Sequence, residues 1–317
     1  MKRPIVCSLL FVSPVLALDG EDEVDFNIRP GGQIGTSPSF EALAASSDLE
    51  QSVVAATIGN SMGLQVLTSD GRGLPMDPAM GGFGVPETLV SGTGGILLDE
   101  EGVRVSGDQA VVAWIESASA GGAGSLRFVQ RTGVSTPWSP ASSVASLPAG
   151  NAEGAEIVLT REAQPTLEIA AQVDGDLWLT TSTDLGGSFT LAQLASASNS
   201  PIEVFDFEGQ AQRVLVCYSD QRGPSGADAV WIRSGVLDPL GTGLLLDPEQ
   251  LLFSELGTDV LRIEVAMEGD RASVAFLTAD NSLDQRVRWA HSSDFAVNWT
   301  TVETLPETTG GLSLIHI

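Results

Sequence analysis

Short apolar or alternating runs, broken by glycine and aspartate, recur along this chain and predict strands rather than helices. Five runs carry a small residue inside an apolar strand: Ala55 in SVVAAT, Ala113 in AVVAWIE, Ala170 in LEIAAQV, Cys217 in VLVCYSD and Ala275 in SVAFLTA. The intervals between them are 58, 57, 47 and 58 residues. In three copies the next residue is aromatic: Trp114, Tyr218 or Phe276. A preceding strand is predicted at Ala42–Ala45, Val103–Ser106, Ile157–Thr160, Val204–Phe207 and Ile263–Met267. Turn pairs such as Gly107-Asp108 and Gly269-Asp270 separate the two strands, as a hairpin needs. A third strand follows at Leu64–Thr68, Leu126–Arg131, Leu177–Ser182, Val230–Ser234 and Val287–Ser292. A fourth, less regular, is predicted at Glu87–Val90, Ser142–Ser146, Leu191–Leu194, Gln250–Phe253 and Val302–Leu305.

Four short strands returning at this interval predict an all-β fold, a β-propeller of four-stranded antiparallel blades with five blades visible. One blade cannot bury both of its faces, so blades stack around an axis. The small-residue column is expected in an inner strand, where neighbouring blades crowd the axis. The aromatic beside it is expected to fill the gap between blades. Residues 36–306 then form the propeller and 18–35 an acidic lead-in containing DGEDEVD. The tail 307–317 ends in LSLIHI, which reads as translated adaptor sequence, so a sixth blade is expected if the true chain runs on.

Composition narrows the setting. Forty-one acidic residues stand against fifteen basic ones, a formal net charge of −26. Such a chain repels nucleic acid and anionic membrane surfaces. Residues 1–17 read as a signal peptide: Lys2 and Arg3, an apolar stretch, then Val15 and Ala17 at a small-residue cleavage site. The stretch is too short for a membrane span, and the expected location is secreted, extracellular or periplasmic. Removal of Cys7 with that segment leaves Cys217 alone, without an internal disulfide.

One motif stands out. Ser182-Thr183-Asp184-Leu185-Gly186-Gly187-Ser188-Phe189 fits S/T-x-D-x-G-x-x-W/F directly after a third strand. The Asp184 carboxylate and Ser182 hydroxyl can accept backbone N–H bonds within the turn, Gly186 permits a positive φ, and Phe189 returns to the core. Ser292-Ser293-Asp294-Phe295-Ala296-Val297-Asn298-Trp299 is a second copy, with Ala296 in the glycine place. Thr68-Ser69-Asp70, Ser234-Gly235 and Trp138 are worn remnants. These segments resemble the Asp-box, or BNR, repeats of the sialidase superfamily, as does the phrase Tyr218-Ser219-Asp220-Gln221-Arg222-Gly223 followed by Ala229–Ser234. The resemblance implies that the boxes are structural and sit away from the active site. Ser182, Asp184, Gly186, Phe189, Ser292, Asp294 and Trp299 are therefore expected to hold the fold, not to react.

The resemblance also implies what an enzyme would need: an arginine triad, a tyrosine nucleophile with a glutamate partner, and an aspartate acid/base. Tyr218 is the only tyrosine, and its place in the repeat reads as a core aromatic. Asn27-Ile28-Arg29-Pro30 has the residues of the family's early arginine phrase in the wrong order. Tyr218, Asp220 and Arg29 are the catalytic candidates. Glu116 and Asp174 are further acids following the repeat's apolar strands. Of the two histidines, His291 reads as an edge residue and His316 lies in the tail, which argues against a triad or a zinc site. No cofactor or metal is expected. Calcium suits acidic loops, but none has EF-hand spacing. The expectation is thus a non-catalytic secreted scaffold binding a glycan or an extracellular protein. One alternative is an exo-α-sialidase-like glycoside hydrolase; another is a propeller fragment of a larger surface protein.

Overall fold

Two-residue turns close the hairpins where glycine and aspartate fall together. Asp174 and Gly175 both take positive φ, 49° and 81°, the twist-matched geometry of a tight hairpin. The structure, a computed structural model, describes residues 10–14, 26–30, 40–47, 51–58, 63–70, 87–91, 95–99, 102–117, 123–144, 146–160, 166–195, 200–210, 212–238, 243–280 and 284–305. These residues form strands and turns, with one 3-10 turn at Pro224–Gly226 and no α-helix. Among them no helix is long and apolar enough to cross a membrane.

β1 (Leu10–Pro14) pairs with β2 (Phe26–Pro30), and five antiparallel sheets follow. The first runs in the order β3 (Phe40–Ser47), β4 (Gln51–Ile58), β5 (Gly63–Asp70), β6 (Glu87–Ser91). In the second, β7 (Gly95–Leu97) and β8 (Val103–Ser106) both pair with β9 (Gln109–Ser117), and β10 (Gly124–Thr132) and β11 (Ser142–Ser143) complete it. The third is β12 (Ala152–Leu159), β13 (Leu167–Val173), β14 (Asp176–Ser182), β15 (Thr190–Ala195). In the fourth, β16 (Ile202–Gln210), β17 (Arg213–Asp220) and β18 (Ala229–Leu237) are flanked by β19 (Leu244–Leu246) and β20 (Gln250–Ser254), which both pair with β18. The fifth is β21 (Thr258–Glu268), β22 (Arg271–Asp280), β23 (Gln285–Ser292), β24 (Glu303–Thr304). Each predicted strand of the repeat overlaps one of these elements, but Ser142–Ser146 and Val302–Leu305 shorten to the two-residue β11 and β24; β7 and β19 were not predicted.

The chain divides into two compact units, 1–122 with 129–141, and 123–128 with 142–317. In the first, β3 packs on β8, and the core gathers Val53, Ala55, Leu64, Val66 and Trp114. Arg131 is buried there, donating to Gln51 Oε1 at 3.3 Å and lying 4.6 Å over the Trp138 ring. In the second unit, β12 packs on β16 and β16 on β21. Tyr218 sits among Leu177, Leu179 and Val158 of the third sheet, and Phe276 among Leu215, Cys217 and Ile232 of the fourth. Each aromatic of the repeat therefore fills a gap against the preceding sheet of its own unit, and burying one contributes roughly 1.5–3 kcal/mol.

The small-residue column falls on an inner strand of each sheet, as expected. Ala55, Ala113, Ala170, Cys217 and Ala275 are buried at matching places on β4, β9, β13, β17 and β22, the second main strand of each sheet. The closest sheet-to-sheet packing is made by the strands before them. Ala55, Ala170 and Cys217 share the cores that the bulky Trp114, Tyr218 and Phe276 fill, which leaves room for little more than a small side chain. Cys217 is a free, buried thiol, and burial pushes its pKa up.

Candidate functional site

Antiparallel order puts the turns of each sheet at two ends. The connections from first to second strand and from third to fourth lie at one end; those from second to third lie at the other. The two motif turns belong to the first kind. In the third sheet, Ser182 Oγ donates to Asp184 Oδ1 at 2.7 Å and accepts from Gly186 N at 2.7 Å, while Asp184 Oδ1 accepts from Ser188 N at 2.8 Å. In the fifth, Ser292 Oγ and Asp294 Oδ1 make the same contacts with Ala296 N and Asn298 N at 3.1 and 2.9 Å. The Ser182 and Ser188 bonds hold the Asp184 carboxyl down at about 2, and Asn298 with Ser292 does the same for Asp294. Phe189 meets the Phe128 ring edge-on at 5.5 Å, and Trp299 Nε1 donates to Ala296 O at 3.1 Å. These bonds are spent within the turns, so the geometry locks hairpins and offers no reacting group.

The opposite end of the fourth sheet is different. β17 ends in Tyr218-Ser219-Asp220, and the longer connection that follows carries Arg222 and Asp228. Tyr218 is fully buried as a core aromatic, and its hydroxyl donates to Glu249, just before β20, whose first residue Gln250 pairs with Ile232 part-way along β18. Arg222 binds the same two groups, with Nη2 on Tyr218 Oη and Nη1 on Glu249 Oε2, both at 3.2 Å. Its Nε donates to Asp220, and its guanidinium stacks 4.0 Å over Trp231. Trp231 Nε1 in turn donates to Asp220 Oδ1 at 3.0 Å. Burial, then the bond to and charge of Glu249, push the Tyr218 phenol well above its ordinary range. Burial alone would lower Arg222, but its bonds to Glu249, Tyr218 and Asp220 carry it higher.

A second carboxyl pair adjoins this cluster. Asp228 is 3 % exposed and hydrogen-bonded to Glu203, and Glu203 accepts from Gln221 Nε2 at 2.5 Å. Burial raises the Asp228 carboxyl to about 6; the charges of Glu203 and Asp259 add to that, and the bond from Val260 N at 2.6 Å opposes it. This is a carboxyl able to hold a proton near neutral pH.

The sequence candidates thus separate. Tyr218 and Asp220 come together; the side chain of Arg29, on β2, lies outside the described residues. Asp174 is a turn residue accepting from Asn151 N at 2.9 Å, and Glu116 sits on β9 opposite Ile96. His291 is half-buried on β23 opposite Ser273, packed on Trp289 at 4.7 Å and donating its N–H to Thr300 Oγ1 at 3.1 Å, so it is not the edge residue expected; His316 lies outside the described residues. Glu249, Asp228 and Glu203 were missed: Glu249 lies 31 residues beyond Tyr218, so no local spacing announced it. Among the described residues no three His, Cys, Asp or Glu side chains stand as metal ligands.

No family model matches the sequence, and no curated protein does. Solved structures do. The NanB sialidase from Streptococcus pneumoniae aligns over 94 % of this chain and 63 % of its own, at 7 % identity and a TM-score of 0.50. The Hadza microbial sialidase Hz136 aligns over 85 % and 59 % at 13 % identity, TM-score 0.47. The Bombyx mori GH32 beta-fructofuranosidase BmSUC1 aligns over 78 % and 59 % at 12 % identity, TM-score 0.40. The chain spans about six tenths of the length of these structures. The expectation of a non-catalytic scaffold is corrected on this point: the pneumococcal structure that shares the fold is that of a sialidase, so the hydrolase alternative is the one carried forward. The likeness to the pneumococcal enzyme concerns the fold: this is an all-β chain of antiparallel sheets, similar in fold to that sialidase.

Proposed function

We propose that this chain is a glycoside hydrolase on a five-bladed sialidase-like propeller, exported by its first 17 residues, with its chemistry centred on Tyr218. The supporting observation is the meeting of a phenol, a carboxylate and a guanidinium at the fourth sheet: Tyr218 donating to Glu249, and Arg222 bonded to both. The two motif turns act as Asp boxes that fasten blades at the other end.

In this reading the Tyr218 oxygen attacks the anomeric carbon as the bond to the leaving oxygen breaks, and the phenolic proton passes to Glu249. Asp228 protonates the leaving oxygen. Water then attacks the anomeric carbon as its bond to the Tyr218 oxygen breaks, the water proton goes to the Asp228 carboxylate, and Glu249 returns the first proton to the released Tyr218 phenolate. Because the phenol is held protonated at rest, its proton moves with the attack rather than before it. Arg222 covers the buried phenol, so it must swing aside for a substrate to enter. Arg222 is the one arginine bonded to the cluster among the described residues, so the reading extends to glycosides in general and is not confined to sialosides.

The test is turnover of a fluorogenic panel containing a sialoside, an arabinofuranoside, a xyloside and a fructoside. At least one is hydrolysed, and Tyr218→Phe and Glu249→Gln each reduce kcat by about a hundredfold or more while the fold, read by circular dichroism, persists. No turnover across the panel rejects the hydrolase reading. Turnover untouched by Tyr218→Phe rejects the assignment of the nucleophile.

A further inference from the structure

Beside the Tyr218 cluster, at the same end of the neighbouring sheet, lies a cleft of about 290 Å³. Its walls are the β20–β21 connection, with Glu255 and Leu256, the first residue of β21, Thr258, and the facing parts of β22 and β23, with Asp280, Arg286 and Arg288. Asp284 closes the rim. It adjoins the cluster directly: Asp228, the proposed acid, donates its backbone N–H to Thr258 O at 3.2 Å.

The lining is polar and alternates in sign. Arg288 Nη2 donates to Glu255 at 2.5 Å and its Nε to Thr278 Oγ1 at 3.2 Å, with the guanidinium 4.3 Å over Phe253. Arg286 Nη2 stands 3.7 Å from Asp280. Arg288 Nη1 also donates to Thr304 Oγ1 at 3.5 Å, and Asp280 Oδ1 accepts from Asp284 N at 3.2 Å, so guanidinium donors and carboxylate acceptors line the cleft side by side. Adjacent donors and acceptors of this kind suit neighbouring hydroxyls, which both donate and accept. Leu256, 67 % exposed, offers an apolar wall for C–H groups. Three carboxylates against two guanidiniums leave a net negative charge, which disfavours a carboxylate or phosphate ligand. The volume is at the small end of ligand pockets, which run roughly 300–1,000 Å³, so it admits about one ring.

We propose that this cleft is a subsite for one uncharged sugar ring, placed to hold the residue of a glycan chain next to the bond being cleaved. As a subsite it rests on the hydrolase reading; as a binding site it does not.

The probes are methyl glycosides of glucose, galactose, mannose, xylose and N-acetylglucosamine, with 3′-sialyllactose as the anionic control, followed by ligand-observed NMR and calorimetry. A neutral probe binds in preference to the control, and Arg286→Gln and Asp284→Asn, both at solvent-exposed positions with the fold checked by circular dichroism, each weaken it by about tenfold, as losing a hydrogen bond to a charged partner does. Absence of neutral binding at millimolar concentration, or affinity unchanged in both variants, overturns the proposal. Binding without turnover of any glycoside would sink the hydrolase reading and keep the site. Turnover of a chain-length substrate with KM unchanged in both variants would sink the subsite and keep the hydrolase.

Discussion

Gly186 takes φ +88°, and a Cβ built on it would stand 2.5 Å from the Phe128 ring. Two costs therefore meet at one residue: a left-handed backbone that L side chains resist, and a ring that has to move. Its counterpart Ala296 takes φ 63° without glycine. Ala296 is 4 % exposed and packs in the core of the fifth sheet, so its methyl group recovers by burial part of what the backbone loses. The glycine place of the motif was readable from sequence, and so was its breach at Ala296. What decided the breach was the neighbour behind each residue, and that was not readable. Gly186→Ala is expected to destabilise the chain by about 2–4 kcal/mol, from the left-handed penalty plus overpacking. Ala296→Gly is expected to stay within about 1 kcal/mol of the parent, since relieved strain and a lost buried methyl oppose each other. Urea unfolding of both variants checks this; equal losses would mean that Phe128 is not the obstacle.

Between elements, the second unit is joined where β16 lies against β21, and Asp206 is the fastening. Its Oδ2 accepts from Val265 N on β21 and its Oδ1 from Phe207 N at 2.7 Å. Burial raises this carboxyl to about 7; the Val265 bond resists, and the charges of Glu264 and Glu208 add to the rise. A carboxyl whose folded pKa lies above its unfolded value binds its proton more tightly when folded. Its contribution is full below the unfolded pKa of about 4 and is lost as pH climbs to about 7. Stability is therefore expected to fall over that window in the parent chain, and Asp206→Asn is expected to remove most of that fall; chemical denaturation at pH 5 and pH 8 measures it. A slope unchanged in the variant would place the titration elsewhere. None of this was visible beforehand, because Asp206 reads as one polar position in an alternating strand and its partner is 59 residues away. The strands themselves were legible wherever they repeat. β7 and β19 were not, because three-residue edge strands such as Gly95–Leu97 carry too little alternation to register. The site was half legible for the same reason: Tyr218 and Asp220 share a strand end, whereas Glu249 and Asp228 join them only through the fold.

For the whole molecule the governing quantity is a formal charge of −26. Several of its few cations are already committed: Arg222, Arg262, Arg286 and Arg288 all pair with carboxylates. Two electrostatic effects therefore compete as salt is added. Screening weakens these half-exposed pairs, each worth at most about 1 kcal/mol. It also weakens repulsion among the unpaired acids, which acts over the Debye length of roughly 10 Å at 0.1 M and 3 Å at 1 M. The acids outnumber the bases by more than two to one, so repulsion is the larger sum and Tm is expected to rise with sodium chloride, steeply at first and then level off. On the proposed hydrolase reading the same field reaches the substrate. An anionic glycoside approaches against it, so its KM should fall as salt rises, while KM for a neutral glycoside stays flat. Thermal melts and steady-state kinetics across one salt series test both halves. A Tm that falls with salt would show that the arginine pairs, not the acidic excess, set the balance, and a neutral KM that follows the anionic one would remove the long-range field from the account.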